Sequence, residues 1–242
     1  MTPETDGIGR RGFVAGWFPF FFRRPERELC GVRFRVVERG FAASRRYLVI
    51  HGDEDTAREV LAKHISAETG RALIVTGKTR NVEVRGLLVD PNRMYSRAGT
   101  DASLAKLNPG VETARIESVS RWLDGRREKL LRTLTPGAGS RLFALHNNRD
   151  YSVNDELAAS DAVSLVQPDM PRHFFLCTAP ADFAILRQSP YNAVLQTKAE
   201  PDDGSMSRLA ARRGFRYINL ECAIGDFAGQ MERAAWLETH LP

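Results

Sequence analysis

Short apolar runs alternate with amphipathic segments along most of the chain. Residues 31–38 alternate apolar with charged side chains, which predicts a half-exposed strand, whereas residues 47–50 are continuously apolar, which predicts an interior strand. Similar patterns predict further strands over residues 72–75, 87–89, 141–145, 173–177, 193–196 and 217–220. Apolar residues at helical spacing predict helices over residues 55–69, 101–134, 180–188, 205–213 and 230–241. This alternation predicts an α/β fold, a single domain with one mixed, twisted sheet of about eight strands flanked by helices.

Length and composition agree with such a domain. The 242 residues are enough for one large core, and 43% hydrophobic with 27% charged residues is typical of a soluble globular protein. The stretch 149–169 is polar with little periodicity, which predicts a long loop. Three cysteines are too few for a disulfide framework or a cysteine zinc cage. We interpret Cys177 and Cys222 as small buried residues, with a Cys–His hydrolase as the alternative.

The positive net charge of +5 comes from one end of the chain. Residues 1–46 hold ten Arg against five acidic residues, while the rest holds 25 basic and 25 acidic residues. Nucleic-acid binding needs clustered Lys and Arg along a surface, so the neutral body predicts no nucleic-acid partner.

The N-terminal segment, residues 1–28, is set apart from the predicted domain at 29–242. Arg10-Arg11-Gly12-Phe13-Val14 resembles a twin-arginine export signal, and the apolar run 12–22 that overlaps it is shorter than the ~20 residues of a membrane span. We predict an uncleaved or degenerate export signal, which slightly favours an exported protein over a cytoplasmic one. The alternatives are an N-terminal arm packed on the domain or a partner, and attachment to a membrane through residues 10–24.

Polar side chains follow the ends of four predicted strands. The rim of an α/β sheet is where such proteins place their chemistry, so we expect these side chains to meet. They are His51 with Glu54, Asn92 with Arg93, His146, and Glu221.

Two imidazoles and one carboxylate form the ligand set of several catalytic zinc sites, which leave a fourth position for water. His51, Glu54 and His146 supply such a set for one zinc ion. Glu221 is the candidate general base, because a carboxylate beside such a site can take a proton from water.

Arg80 and Arg93 are candidates to polarise a scissile carbonyl or to hold a substrate carboxylate. In an alternative interpretation, Asn92-Arg93 is a structural turn and Glu221 is a buried acid paired with Arg80.

The order of these elements resembles the zinc carboxypeptidase superfamily, and most closely its succinylglutamate desuccinylase/aspartoacylase branch. His51-Gly52-Asp53-Glu54 is similar to the branch's His-Gly-x-Glu, and Asp90-Pro91-Asn92-Arg93-Met94 is similar to its Asp-x-Asn-Arg-Phe, with Met in place of Phe. The resemblance runs from residue 47 to about residue 221, on a chain that is short for the family, and implies a zinc-carboxypeptidase-like fold. It implies zinc binding by His51, Glu54 and His146, substrate binding by Asn92 and Arg93, catalysis by Glu221, and an oxyanion role for Arg80. Tyr151 and Tyr191 are the candidates for the family's substrate-capping tyrosine.

We therefore predict a zinc-dependent hydrolase that cleaves an amide bond next to a free carboxylate. Its substrate would be a peptide C-terminus or an N-acyl amino acid. The alternative is a catalytically silent protein of the same fold that binds a carboxylate-bearing ligand or peptide through Arg93. No pattern in the sequence predicts an oligomeric state.

Overall fold

A mixed sheet of nine strands forms the centre of the protein, in a computed structural model that describes residues 26–40 and 45–241. The strands, in chain order, are β1 (Glu26–Leu29), β2 (Val32–Arg39), β3 (Arg45–Val49), β4 (Gly70–Val75), β5 (Val82–Val84), β6 (Leu87–Val89), β7 (Arg141–Asn148), β8 (Ala162–Ser164), β9 (Phe174–Cys177), β10 (Asn192–Leu195) and β11 (Arg216–Ala223). The large sheet has the order β1-β2-β4-β3-β7-β11-β9-β10-β8, while β5 and β6 form a separate two-stranded sheet.

Helices cover both faces of this sheet. They are α1 (Asp55–Ala67), α2 (Arg97–Leu107), α3 (Thr113–Leu134), α4 (Val153–Glu156), α5 (Pro180–Leu186), α6 (Met206–Arg213) and α7 (Phe227–His240). One face packs with α2, α3 and α6 in a first apolar core, and the other packs with α1, α5 and α7 in a second. The α/β class, the single domain and the mixed, helix-flanked sheet are confirmed, with nine strands where about eight were predicted.

Four neighbouring strands, β4, β3, β7 and β11, run parallel. Parallel strands present their carboxyl ends at one edge of a sheet. All eight residues of β7 are buried, as expected for a strand covered on both faces. The carboxyl ends of β3, β7 and β11 therefore lie side by side, and two of the four predicted polar strand ends, those of β7 and β11, pair directly through His146 and Glu221.

Three local predictions hold only in part. Residues 87–89 do not join the large sheet, because the turn at Arg85 and Gly86, both at positive φ, folds β6 back onto β5. The stretch 101–134, predicted to be mainly helical, forms two helices, α2 and α3, because Pro109 and Gly110 separate them. The predicted loop 149–169 contains α4 and the edge strand β8.

Strand β1 begins at Glu26, so the sheet starts inside the segment 1–28, which was predicted to lie outside the domain. The export-signal prediction and the membrane segment 10–24 lie outside the described residues. Within the described ranges, no helix combines the length and apolar character needed to cross a membrane.

Candidate metal centre and cleft

Three buried side chains come together at the carboxyl ends of β3 and β7. His51 follows β3 by two residues, Glu54 immediately precedes α1, and His146 is the sixth residue of β7. Their exposed fractions are 0%, 2% and 4%. The turn from His51 to Glu54 passes close to the backbone of Thr79 at Gly52. A Cβ at position 52 would lie only 2.7 Å from the carbonyl oxygen of Thr79, so the turn requires glycine there.

The ligand atoms of His51, Glu54 and His146 all lie within 4.8 Å of one another. Glu54 Oε1 is 2.8 Å from His51 Nδ1 and 3.1 Å from His146 Nδ1. The other oxygen, Glu54 Oε2, is buried without a hydrogen-bond partner. This buried His–Glu–His group can hold one metal ion.

Asp90 orients the first histidine from outside the group. Its Oδ1 lies 3.0 Å from His51 Nε2 and also accepts a hydrogen bond from the backbone N–H of Asn92. A carboxylate on the far nitrogen of a metal-binding histidine fixes the ring and its tautomer. Asp90 is the first residue of the motif Asp90–Met94, but no role was predicted for it from the sequence. The available signal was an acidic residue directly after a predicted strand.

The carboxylate and the imidazoles of this group shift one another's pKa values. Burial lowers the pKa of His51, but the Glu54 carboxylate and the hydrogen bonds with Asp90 and Glu54 outweigh burial and raise that pKa to about 9. Burial raises the pKa of Glu54, but His146 and His51 outweigh it and lower the pKa to about 2. The Glu54 carboxylate is therefore ionised at neutral pH, so the group carries a negative charge that attracts a cation.

Glu221 lies beside this group, paired with His146 in adjacent parallel strands. Its Oε2 accepts a hydrogen bond from Asn148 Nδ2 at 3.1 Å, and its Oε1 accepts one from Asn219 Nδ2 at 3.0 Å. Burial raises the pKa of Glu221; His146 opposes this effect and Glu54 adds to it. The side chain is thus a buried carboxylate that accepts hydrogen bonds from two amides, neither of which was predicted from the sequence.

The arginine and asparagine candidates occupy the same cleft. Arg80 Nη1 lies 3.8 Å from Glu54 Oε1, which makes Glu54 the ion-pair partner of Arg80 among the described residues. The alternative pairing of Arg80 with Glu221 is therefore not observed there. Asn92 and Arg93 lie in a short 3-10 turn that follows β6. Arg93 reaches towards Asp203, with 3.8 Å between their charged atoms, and stays half-exposed over the cleft.

The cleft that joins these residues has a volume of about 470 Å³. It contains His51, Glu54, His146, Arg80, Asn92, Arg93 and Glu221 in its lining. Tyr151 also lines it, with its hydroxyl donating to Glu156. Tyr191 does not; its hydroxyl donates to Glu232, and its ring packs in the core on the opposite face of the sheet.

The cysteines contribute no nucleophile to this cleft. Cys177 and Cys222 are buried and free. Burial raises the pKa of both thiols, which keeps them protonated at neutral pH. This agrees with their interpretation as small buried residues.

No protein-family model matches the chain, and no curated protein matches it. Among solved structures, it is similar to the crystal structure of N-formylglutamate amidohydrolase from Ralstonia eutropha JMP134. The match covers 85% of this chain and 98% of that chain, with a TM-score of 0.38 and 13% sequence identity.

Proposed function

We propose that this protein is a zinc-dependent hydrolase that cleaves an amide bond next to a free carboxylate. The observation that carries the proposal is the convergence of His51, Glu54 and His146 within 4.8 Å, in the same cleft as the buried carboxylate Glu221. Metal centres of hydrolases combine a small ligand set with an adjacent acid–base residue in this way.

The donor set fits zinc. Two imidazole nitrogens and one carboxylate match the ligands of catalytic zinc sites, and a set of three leaves room for a further ligand. The buried Glu54 Oε2, which has no hydrogen-bond partner, is an available donor atom for a cation. Asp90 holds His51 by Nε2, which leaves Nδ1 directed at the group.

A zinc ion held by these three residues would supply Lewis-acid chemistry, polarising the scissile carbonyl and making water more acidic. Glu221 acts as the general base: its carboxylate takes a proton from the attacking water as the water oxygen bonds to the carbonyl carbon. When the C–N bond breaks, Glu221 returns that proton to the leaving amine. Burial raises its pKa, which favours this second step because the carboxyl can then hold the proton between the two transfers.

Arg80, Asn92 and Arg93 bind the substrate in this proposal. The Arg80 guanidinium is half-exposed and close to the metal-binding group, so it can donate hydrogen bonds to the oxyanion. Arg93 presents a guanidinium to the cleft, and Asn92 offers a side-chain amide beside it. A guanidinium and an amide together suit a carboxylate, which places the substrate's free carboxylate at this end of the cleft.

Zinc content and hydrolysis test this proposal together. The purified wild type is loaded with zinc, dialysed, and analysed by atomic emission alongside His51→Ala and His146→Ala. We expect about one zinc ion per chain in the wild type and a loss of zinc in both variants. His240→Ala is the matched control, because His240 is exposed at the end of α7 and stacks on Trp236.

The same preparations are incubated with mixed N-acetyl amino acids and mixed peptides, and released products are identified by mass spectrometry. Glu221→Gln should retain zinc and lose turnover by about 10²–10⁴-fold. A wild type that takes up no zinc contradicts the metal site. A zinc-loaded wild type that binds carboxylate-bearing ligands without cleaving them would instead support the silent binding protein.

A further inference from the structure

Two buried amides, Asn147 and Gln230, form a hydrogen-bonded pair behind the metal-binding group. Asn147 follows His146 in β7, and Gln230 is the fourth residue of α7. Their exposed fractions are 7% and 0%. Asn147 Nδ2 donates a hydrogen bond to Gln230 Oε1 at 3.1 Å. Asn147 also borders the cleft, but both its oxygen and its nitrogen are already engaged by the protein. We call these two residues the amide pair.

Asn147 satisfies the first turn of α1. The first N–H groups of a helix have no partner within the helix, and the side chain of the N-cap residue commonly accepts one of them. The N-cap residue of α1 is Glu54, whose side chain makes no such bond and instead lies against the two imidazoles. Asn147 Oδ1 accepts the N–H of Ala57, the third residue of α1, at 2.7 Å. This contact caps the helix and leaves the Glu54 carboxylate to the metal-binding group.

Gln230 fixes the backbone of the second histidine. Strand β3 pairs with β7 only as far as Ala144, so within the described chain the backbone at His146 has no strand partner on that side. Gln230 Nε2 donates a hydrogen bond to the carbonyl oxygen of His146 at 3.0 Å. A buried carbonyl oxygen requires such a donor. Gln230 therefore holds the backbone from which the His146 imidazole extends.

The amide pair thus connects two of the three candidate ligands. The connection runs from Ala57, three residues after Glu54, through Asn147 and Gln230 to the backbone of His146. Each amide uses its oxygen on one neighbour and its nitrogen on another. Turning either amide over would set N–H against N–H and oxygen against oxygen. The connection therefore admits one orientation of each side chain.

Support from outside the group matters because zinc binding would use the atoms that now hold the group together. Glu54 Oε1 lies 2.8 Å from His51 Nδ1 and 3.1 Å from His146 Nδ1. Binding of a zinc ion would engage these same atoms, so these contacts would no longer fix the side chains. Asp90 supports His51 from outside the group. The amide pair is the corresponding support for Glu54 and His146.

We propose that the amide pair positions two ligands of the metal centre: Asn147 holds Glu54 through the first turn of α1, and Gln230 holds His146 through its backbone. The inference rests on the zinc hydrolase proposed above and adds two positioning residues to its metal site. Neither residue is itself a zinc ligand. Their effect is on zinc affinity, because ligands that are held in place beforehand lose less conformational freedom when the ion binds.

A purely structural role is the competing interpretation, because other buried hydrogen bonds also attach α7 to the rest of the fold. Tyr191 makes one of them: its hydroxyl donates to Glu232 on α7 at 2.8 Å. Tyr191 directly precedes β10, which lies three strands from β7 in the sheet. A structural contact changes only the stability of the metal-free fold, whereas a positioning contact also changes the zinc affinity of folded molecules. Tyr191→Phe is therefore the matched control.

Zinc affinity and the stability of the metal-free fold are measured on the same full-length preparations. Affinity is determined by competition with a chromophoric chelator, in buffer in which circular dichroism shows the metal-free protein to be folded, and stability by urea unfolding. Gln230→Met removes both side-chain hydrogen bonds at nearly constant volume, and Asn147→Leu does the same at its position. We expect each to weaken zinc binding about tenfold. Tyr191→Phe should keep the zinc affinity of the wild type.

The double variant tests the connection itself. If the two amides act as one connection, Asn147→Leu with Gln230→Met should bind zinc about as weakly as the weaker single variant, because the first change already breaks it. A loss equal to the product of the two single losses, about a hundredfold, would overturn the single connection. Gln230→Asn keeps an amide but is one methylene too short to reach both partners. It takes the place of Gln230→Met if the latter does not fold, with the same expected loss.

The outcomes separate this inference from the proposed function. Wild-type zinc affinity in the folded Gln230 and Asn147 variants overturns the positioning role, whatever their stability, and leaves the hydrolase standing. An equal loss of zinc affinity in Tyr191→Phe also overturns it, because a general loosening of α7 would then be the cause. A wild type that takes up no zinc removes the metal site, and this inference with it.

Discussion

Asp90 offers the most direct test of the proposed metal centre, because it contacts His51 without being one of the three candidate ligands. Its Oδ1 accepts from two donors, His51 Nε2 at 3.0 Å and the backbone N–H of Asn92 at 2.8 Å. Asp90→Ala removes both hydrogen bonds. Asp90→Asn keeps an oxygen for both and removes only the negative charge, so the pair of variants separates the ring's orientation from its electrostatics.

The expected magnitude follows from these contacts. Loss of the partner that orients a metal-binding histidine weakens metal affinity by about 10–100-fold, or ~1.4–2.7 kcal/mol. Asp90→Ala should lie near the upper end, because the ring is freed and the 3-10 turn loses its N-terminal cap as well. Asp90→Asn should lie near the lower end, because the turn keeps its cap and the ring keeps its acceptor.

Zinc affinity is measured by competition with a chromophoric chelator at fixed pH, with unfolding of the metal-free proteins followed in parallel. Asp150→Asn is the matched control, because Asp150 lines the same cleft and is exposed. If Asp90→Ala binds zinc as tightly as the wild type while its metal-free fold is intact, Asp90 does not orient a metal ligand. The assignment of His51 as a zinc ligand is then refuted as well.

Two further predictions concern buried carboxylates. Asn148→Ala and Asn219→Ala each remove one hydrogen-bond donor from Glu221 and should lower kcat about tenfold. Because these donors favour the charged form of Glu221, the pH–rate profile of each variant should show a higher pKa for the general base. An unchanged profile would count against the contacts. Glu238→Gln should destabilise the fold at neutral pH by ~3–5 kcal/mol in urea unfolding, because it leaves the guanidinium of Arg141, 2% exposed, without its charged partner. Burial raises the pKa of Glu238, but a hydrogen bond from an imidazole and the charge of Arg141 outweigh burial and lower it. Glu238 therefore stabilises the fold above its unfolded pKa and loses this effect as the pH falls through its folded pKa, so the gap between wild type and Glu238→Gln should narrow in acid.

The strand pattern predicted that the candidate side chains come together because of a property of parallel sheets. Residues 47–50, 141–145 and 217–220 are mostly apolar, and each run is followed directly by a polar residue. These strands lie side by side and parallel in the fold. Their carboxyl ends must then meet, whatever loops connect them. The sequence alone was enough to bring His51 and His146 to one edge.

Contacts that depend on tertiary packing could not be predicted from the strand pattern. Asp90 reaches His51 only because β6 folds back onto β5 instead of joining the large sheet, and a run of three apolar residues does not distinguish the two arrangements. The amides on Glu221 depend on register, which sets Asn148 and Asn219 around the same carboxylate. Tyr151 and Tyr191 look alike in sequence, and the face of the sheet on which each packs decides which of them lines the cleft.

The molecule contains a second buried carboxylate with which Glu54 can be compared. Glu238 on α7 uses both oxygens: Oε1 accepts from the Tyr47 hydroxyl at 2.9 Å and lies 3.1 Å from His64 Nε2, while Oε2 accepts from Arg141 at 2.6 Å. The donors are spread over the two oxygens and come from α1 and two strands. This arrangement ties α7 to the sheet, and its effect is structural stability.

Glu54 is arranged differently. Both imidazoles approach the same oxygen, Oε1, and the second oxygen has no partner although it is buried. A buried carboxylate with a purely structural role would be expected to accept hydrogen bonds on both oxygens. A buried acceptor without a hydrogen bond destabilises the fold by about 1–3 kcal/mol. His51 Nδ1 and His146 Nδ1 both lie close to Glu54 Oε1, so three donor atoms surround one point where a cation can bind. This contrast between two buried acids of one chain favours metal binding over a purely structural role for Glu54.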